Sequence, residues 1–331
     1  MGKFTVNTKQ MQADITSVRP IKYEESGLMS KIWVIDGVMY SYYKNVLMWK
    51  PVEGIEDFQV DAESLRKAVM AAKSEEITFN LTAAGNMSIV AGRLKTRMQL
   101  LNEPIPDHHK INNWYSTHGQ LLPTLVALAK WVPDQAPKAW ATTLLLRNGF
   151  AYASDGRYMI REKLNVDFEF ECAITKPMLQ ALVKLKSEPT SIAYFREKLY
   201  FGFDDGLSMD APTLAEKWPD INNFFDGIEH KEFEYTDELK ETLDQLTGYD
   251  EGQAILEILD EKTAKSSLPD KVIPKMVVDI KFETTRFPLP FNVSISNMSK
   301  LAKGMTNIGI GSRTLKMWND VRTVVLSLMR D

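Results

Sequence analysis

Three times the chain runs from an alternating strand straight into a short amphipathic helix and out into another strand. The first copy is FQVDAESLRKAVMAAKSEEITFNL from Phe58, the second FECAITKPMLQALVKLKSEPTSIAYF from Phe170, and the third FNVSISNMSKLAKGMTNIGIG from Phe291. Leu65, Ala68, Val69 and Ala72 fall at i, i+3, i+4 and i+7, one face of a 3.6-residue period, and Met298, Leu301, Ala302 and Met305 repeat that spacing. Leu179, Leu182 and Val183 give a shorter stripe. Asp61, Thr175 and Ser296 are each able to accept a backbone N–H as an N-cap. A second set of helices interleaves with these, in FTVNTKQMQADITSV from Phe4, WYSTHGQLLPTLVALAKWV from Trp114 and FEYTDELKETLDQLT from Phe233. Their stripes are Met11, Ile15 and Val18 in the first and Leu239, Leu243 and Leu246 in the last, and Pro123 belongs in a first turn. The period is roughly 110–120 residues, too long for a solenoid repeat and right for three similar domains.

Between the helices lie hairpin-like runs, with Asp36-Gly37, Asn148-Gly149 and Asp205-Gly206 as turn signals. Linkers are expected at 102–113 and 219–231, and a loop at 260–275. The resulting expectation is an α+β chain of three domains, 1–110, 111–228 and 229–331, each with two helices packed on antiparallel sheets. A hydrophobic fraction of 44% and a charged fraction of 25% belong to a soluble globular protein. MGKFTVNTKQ reads as folded structure rather than a signal peptide, and no apolar run approaches a membrane span. Cys172 is the single cysteine, so there is no intrachain disulfide and no cysteine-rich metal site, which fits a reducing cytoplasm.

The net charge is −4, yet five of the six helical windows carry at least as many lysines and arginines as acids. The exception is TDELKETLDQLT, whose acids also suit the positive end of a helix dipole. Two readings fit: charged residues simply prefer helix surfaces, or basic helices form one surface and acidic strands and loops another.

The order of these units, with several local matches, resembles the bacterial-type DNA polymerase III beta sliding clamps. MGKFTVNTKQMQADITSV is similar to that family's first strand and helix, and GNMSIVAGRLKTRMQLLNEPIPD to the end of its first domain. ASDGRYM at 153–159 resembles a middle-domain turn, and TLAEKWPDINNFF an inter-domain exit with Trp218 in place of phenylalanine. FNVSISNMSKL and the terminal LMRD resemble parts of the third domain. A length below that of typical bacterial members fits a phage-encoded version. The resemblance implies a non-enzymatic processivity factor without cofactor or metal: a head-to-tail homodimeric ring around duplex DNA, working with a replicative polymerase and a clamp-loader ATPase in a bacterial or phage-infected cell. It implies a sequence-neutral, phosphate-facing set of Lys9, Arg19, Arg66, Lys67, Lys73, Lys130, Lys176, Lys184, Lys300 and Lys303. It also implies a partner-peptide pocket of Ser154, Gly156, Arg157, Tyr158, Met159, Pro219, Leu326, Leu328, Met329 and Arg330. The tail VLSLMRD lacks the family's proline and ends in Asp331, and read without the resemblance it is a final edge strand.

Two alternatives stay open: a monomeric clamp-like DNA-binding or decoy module without ring closure, and an enzyme on a repeated α+β scaffold. The second is poorly served, because the chain has no HExxH, CxxC, Walker A or GxSxG sequence. His108-His109 reads as an exposed loop rather than a metal site, Asp155 and Asp204-Asp205 as turn residues, and Cys172 as a buried, inert thiol.

Overall fold

The computed structural model describes residues 2–19, 31–105, 109, 111–166, 168–233, 237, 240–241, 244, 255–258, 264–267, 276–278, 291–311 and 313–328. The chain is α+β, and every strand pair whose register is defined is antiparallel. It divides into two compact units, one of residues 1–129, 146–149 and 164–215, the other of residues 130–145, 150–163 and 216–331.

In the first unit β1 (Lys3–Asn7) leads into α1 (Thr8–Val18), and β2 (Lys31–Ile35), β3 (Val38–Tyr43) and β4 (Val46–Pro51) form a meander. β5 (Phe58–Asp61) leads into α2 (Ala62–Ala71), and a second meander follows as β6 (Glu76–Thr82), β7 (Asn86–Ala91) and β8 (Leu94–Gln99). β9 (Tyr115–Ser116) precedes α3 (Leu121–Ala129). Later come β13 (Cys172–Thr175), α4 (Lys176–Leu185), β14 (Ser191–Phe195), β15 (Lys198–Gly202) and β16 (Ser208–Pro212). One sheet has the order β1-β6-β7-β8; the other, β5-β2-β3-β4-β16-β15-β14-β9, joins two meanders through their last strands, with Trp49 opposite Ser208 and Leu47 opposite Asp210.

The helices form where the stripes predict. Met11, Ile15 and Val18 of α1 are buried, as are Leu65 and Val69 of α2. α1 packs on α2 and touches strands of both sheets, and the rings of Phe4, Phe58 and Phe79 stack at centroid distances of 4.8 to 6.3 Å between them. Each such buried ring is worth about 2–3 kcal/mol. The Asp61 carboxylate caps α2 by accepting from the Ser64 N–H at 2.8 Å, and the Gln12 amide donates to the Val69 and Ala72 carbonyls at its other end. Pro123 lies in the first turn of α3, where the Leu121 and Leu122 N–H groups donate to the Glu188 carboxylate. Asp36 and Gly37, at φ of 50° and 72°, make the left-handed two-residue turn that a hairpin with native twist needs.

The second unit contains the start of β10 (Thr143–Arg147), with β11 (Phe150–Ser154), β12 (Tyr158–Lys163), a short helix α5 (Asn222–Phe225), β17 (Lys231–Phe233), β18 (Ile255–Ile258), β19 (Ala264–Ser267) and β20 (Met276–Val278). β21 (Phe291–Ser294), α6 (Ile295–Ala302), β22 (Asn307–Ile310), β23 (Thr314–Trp318) and β24 (Arg322–Ser327) follow. Here β11-β12-β24-β23-β22-β17 lie side by side, again joining two meanders through their last strands, and β20-β19-β18-β21 form a separate four-stranded sheet. Met298, Leu301, Ala302 and Met305 are all buried.

Three expectations need correction. Thr175 sits at the N-cap of α4 but makes no side-chain capping bond. Ser296 lies inside α6, which begins at Ile295 directly after β21 ends at Ser294. Asp205-Gly206 turns the hairpin of β15 and β16 as expected, within a loop from Phe203 to Leu207 where the Asp205 carboxylate accepts from the Leu207 N–H. The loop expected at 260–275 contains β19. The stripe Leu239, Leu243 and Leu246 lies outside the described residues, as does His108, whereas His109 sets its ring edge-on to Phe195.

Candidate functional site

Two groups of residues answer to the sequence expectations. The first is the set of helix cations. Lys9 is exposed on α1, Lys67 on α2 and Lys73 just beyond α2. These positions alternate with the buried stripe, so the same period that seals the core turns the cations to solvent. On α4, Lys176 is half-buried at the first position and Lys184 exposed in the last turn. Lys300 is exposed in the last turn of α6 and Lys303 just after it.

Three members differ from the rest. Arg66 is half-buried and donates to Glu63 at 2.9 and 3.1 Å; that bond holds the Glu63 carboxyl below the usual carboxylate range. Arg19 departs from the expectation of an exposed cation: it is 3% exposed and lines a small cavity with Val18, Ser41, Tyr43, Val46, Met48 and Ala181. The cause is local, since Arg19 is the C-cap of α1, where φ of −138° takes the chain off the helical path. Lys130 is exposed, but its ammonium lies 5.4 Å from the centre of the Trp131 ring, which draws it toward the second group. In the acidic helical segment, Asp237 pairs with Lys240 at 2.8 Å and Asp244 accepts from Ser299 of α6 at 3.0 Å.

The second group is the expected peptide pocket, of which all but Pro219 and the terminal residues come together around one turn. Ser154 Oγ donates to the Tyr158 carbonyl at 2.6 Å and accepts from the Gly156 N–H at 3.0 Å. The Asp155 carboxylate accepts from the Arg157 and Tyr158 N–H groups at 2.7 and 3.1 Å, so it is a turn residue, as expected. Gly156, at φ of 90°, allows the reversal. Register then sets Tyr158 opposite Leu326 and Met159 opposite Val325, while Ser327 N–H donates to the Arg157 carbonyl and Leu328 N–H to the Arg313 carbonyl, both at 2.9 Å. β24 is therefore an interior strand with β12 on one side and β23 on the other, not the edge strand that the tail alone suggests. Ser154, Met159 and Leu326 are buried, Tyr158 and Leu328 half-buried, Gly156 and Arg157 exposed. Met329 and Arg330 lie outside the described residues.

Sequence reasoning missed Trp131. Its ring meets Tyr158 edge-on at 5.7 Å and its carbonyl accepts from the Tyr158 hydroxyl at 3.2 Å. Burial, aided by Asp155, pushes the Tyr158 phenol up, so it stays a neutral donor. Trp131 follows α3 and belongs to no periodic stripe, so pattern reading has nothing to seize. Pro219 is half-buried beside Trp218, whose buried indole tilts on Trp140 at 4.9 Å and donates to Thr143 Oγ1 at 3.0 Å.

The segment after Pro219 is fastened onto the sheet. The Arg161 guanidinium lies between Phe150 and Phe225, 5.1 and 4.6 Å from their centres, and pairs with Asp226 at 3.0 Å. Lys316 donates to the Phe225 carbonyl at 2.8 Å, and α5 packs on β24. Phe225 is buried while its neighbour Phe224 remains 38% exposed. Among the described residues no group of three or more histidines, cysteines or acids could hold a metal ion, and no helix is long and apolar enough to cross a membrane.

No protein-family model and no curated protein matches the chain. Solved structures do, over their whole length. The DNA polymerase III subunit beta from Pseudomonas aeruginosa has a TM-score of 0.80 at 12% identity, with 100% of both chains covered. The DNA polymerase sliding clamp from Bacillus subtilis gives 0.77 at 14%, with 99% of both covered. The Helicobacter pylori beta clamp bound to a DNA ligase peptide gives 0.76 at 11%, with 100% of both covered. The chain has the fold of the DNA polymerase III beta sliding clamps.

Proposed function

We propose that this chain is a DNA sliding clamp, three domains (1–110, 111–228 and 229–331) that pair head to tail with a second copy around duplex DNA. The observation that carries the reading is the fate of the meanders. In each unit two meanders join through their last strands, β4 to β16 and β12 to β24. The last strands of the remaining two, β8 and β20, end their sheets with no further partner among the described residues. An open strand edge is a template for pairing with another chain. Antiparallel pairing of β8 with β20 of a second copy, and of β20 with its β8, uses both edges twice and closes the assembly. Leu94, Thr96 and Met98 of β8 are half-buried and alternate with exposed Lys95, Arg97 and Gln99, the pattern of a strand with one apolar face.

In this reading Lys9, Lys67, Lys73, Lys176, Lys184, Lys300 and Lys303 meet phosphates, with Arg66 shared with Glu63. Flexible ammonium groups exchange phosphates without reading bases, so the ring holds DNA and still slides. The turn 154–158 with Leu326 and Leu328 receives peptides of a replicative polymerase and a clamp-loader ATPase in the cytoplasm. The clamp supplies topology and attachment and performs no chemistry.

The test is retention on DNA after loading onto a nicked circular plasmid, half of which is then cut to a linear form. Retention on circles with loss from the linear form is expected. Equal loss from both would overturn the topological mechanism.

A further inference from the structure

The two joins within the chain, β4 with β16 and β12 with β24, carry ion pairs of opposite sense. At the first, the Lys50 ammonium of β4 lies 2.9 Å from the Asp205 carboxylate in the loop before β16 and 3.4 Å from Asp14 of α1, which also accepts from the Gln10 amide at 3.0 Å. At the second, Arg322 of β24 meets Glu162 of β12, its cross-strand partner, at 2.8 Å through Nε and 2.6 Å through Nη2. Lys50, Asp14 and Glu162 are largely buried. Apolar residues in place of such a pair often leave a fold equally stable, so charge buried at both joins asks for a reason other than stability.

Lys50 and Glu162 hold one position in the repeat. Each lies two residues before a residue, Val52 or Leu164, whose N–H donates to the carbonyl of a turn glycine, Gly37 or Gly149, at 2.8 and 2.7 Å. Leu207 and Arg322 correspond in the same way, since their carbonyls accept the N–H groups of Phe203 and Asn319 that close the preceding turns, both at 2.9 Å. The joins share a register too: Met48 lies opposite Met209 and Trp49 opposite Ser208, as Ile160 lies opposite Val324 and Arg161 opposite Thr323. To the backbone, then, β4 is equivalent to β12 and β16 to β24. Ladder hydrogen bonds alone do not distinguish the joins found from β4 with β24 or β12 with β16.

Charge does distinguish them. In the shared register, β4 with β24 sets Lys50 opposite Arg322, cation against cation, and β12 with β16 brings Glu162 to the loop of Asp205, acid against acid. We propose that Lys50 with Asp205 and Glu162 with Arg322 decide which strands join, their polarity reversed between the two joins so that exchanged partners repel. The rule acts within one chain and between copies alike, because strand edges of a second copy carry the same charges.

The test is refolding of the full chain from urea under oxidising conditions, with Cys172→Ala to remove the natural thiol and Met48→Cys with Val324→Cys as reporters. These two positions face Met209 and Ile160 in the joins found, and face each other where β4 joins β24 in the shared register. A disulfide between positions 48 and 324, within a chain or between two, therefore records an exchanged join; its yield is read by peptide mapping against the folded protein oxidised directly. With the natural charges the yield should stay at that baseline. Glu162→Arg with Arg322→Glu gives the second join the polarity of the first, turns the repulsion of Lys50 by Arg322 into attraction, and should raise the yield about tenfold. Glu162→Gln with Arg322→Gln should give an intermediate rise, as should refolding with the natural charges in about 1 M NaCl, where screening is strong. The disulfide reports the ladder formed rather than the final fold, so a misfolded product still counts; if the reversed variant precipitates, the neutral variant and the salt arm decide. A yield that stays at baseline in those arms overturns the proposal, and lower stability of the neutral variant at an unchanged yield assigns the pair a merely structural role and overturns it as well.

Discussion

Phe79 is fully buried against Phe4 and Phe58, so Phe79→Ala removes a ring that nothing nearby replaces. A loss of about 3–5 kcal/mol is expected, read as a lower urea midpoint at unchanged slope. His230 gives a pH test with a definite sign. Burial holds its imidazole below the ordinary 6.5, against the opposing bond to the Ile228 carbonyl and with a small push from Lys316. The unfolded chain therefore binds a proton near pH 6.5, whereas the folded chain binds it only at lower pH. Stability is lost as pH falls from about 6.5 through the folded value. The urea midpoint should drop between about pH 7.5 and 5.5, and drop less in His230→Gln; equal drops would remove His230 from the account. Cys172 is buried on β13, and burial with the nearby Glu171 pushes its thiol up. Iodoacetamide should label it only once the protein is unfolded, because the thiolate is the nucleophile; rapid labelling of the native chain would contradict its burial.

Elements were legible in proportion to how far one physical rule governed them. The stripe Met298, Leu301, Ala302 and Met305 is buried as its spacing requires, because core burial and helix period demand the same thing. Asp36-Gly37 was readable because few residue pairs tolerate positive φ at both positions. Arg19 was misread because its charge speaks for exposure while its place at the C-cap of α1 turns it inward. Trp131 was invisible because its role depends on Tyr158, distant in sequence. On α6 the stripe leaves Lys300 exposed, with Lys303 one turn on, so Lys300→Glu with Lys303→Glu should leave folding intact and weaken binding to duplex DNA. The slope of log affinity against log salt should fall by about two units. An unchanged slope would mean that this helix does not meet phosphates.

At the scale of the whole molecule, the proposed assembly stands or falls on the open edges of β8 and β20. Arg97→Pro removes one N–H from the open side of β8, because the pairs closed by the Gly92-Arg93 turn direct the Leu94, Thr96 and Met98 N–H groups to β7 and the Lys95 and Arg97 N–H groups away from it. If β8 joins a second copy, sedimentation should report a shift from dimer toward monomer, with the dissociation constant raised about tenfold or more; an unshifted dimer would place the interface elsewhere. The joins also govern how the chain comes into being. Val46–Pro51 is made long before Ser208–Pro212, and Tyr158–Lys163 long before Arg322–Ser327, yet each pair shares a ladder. Closing such distant loops precedes any gain from the contacts, so folding is expected to be slow. During synthesis β4 and β12 each wait with one side bare, and a ribosome-bound fragment ending before Ser208 carries a sticky margin that the finished protein hides. The joins that complete each sheet thus make the nascent chain dependent on protection until its last strands emerge.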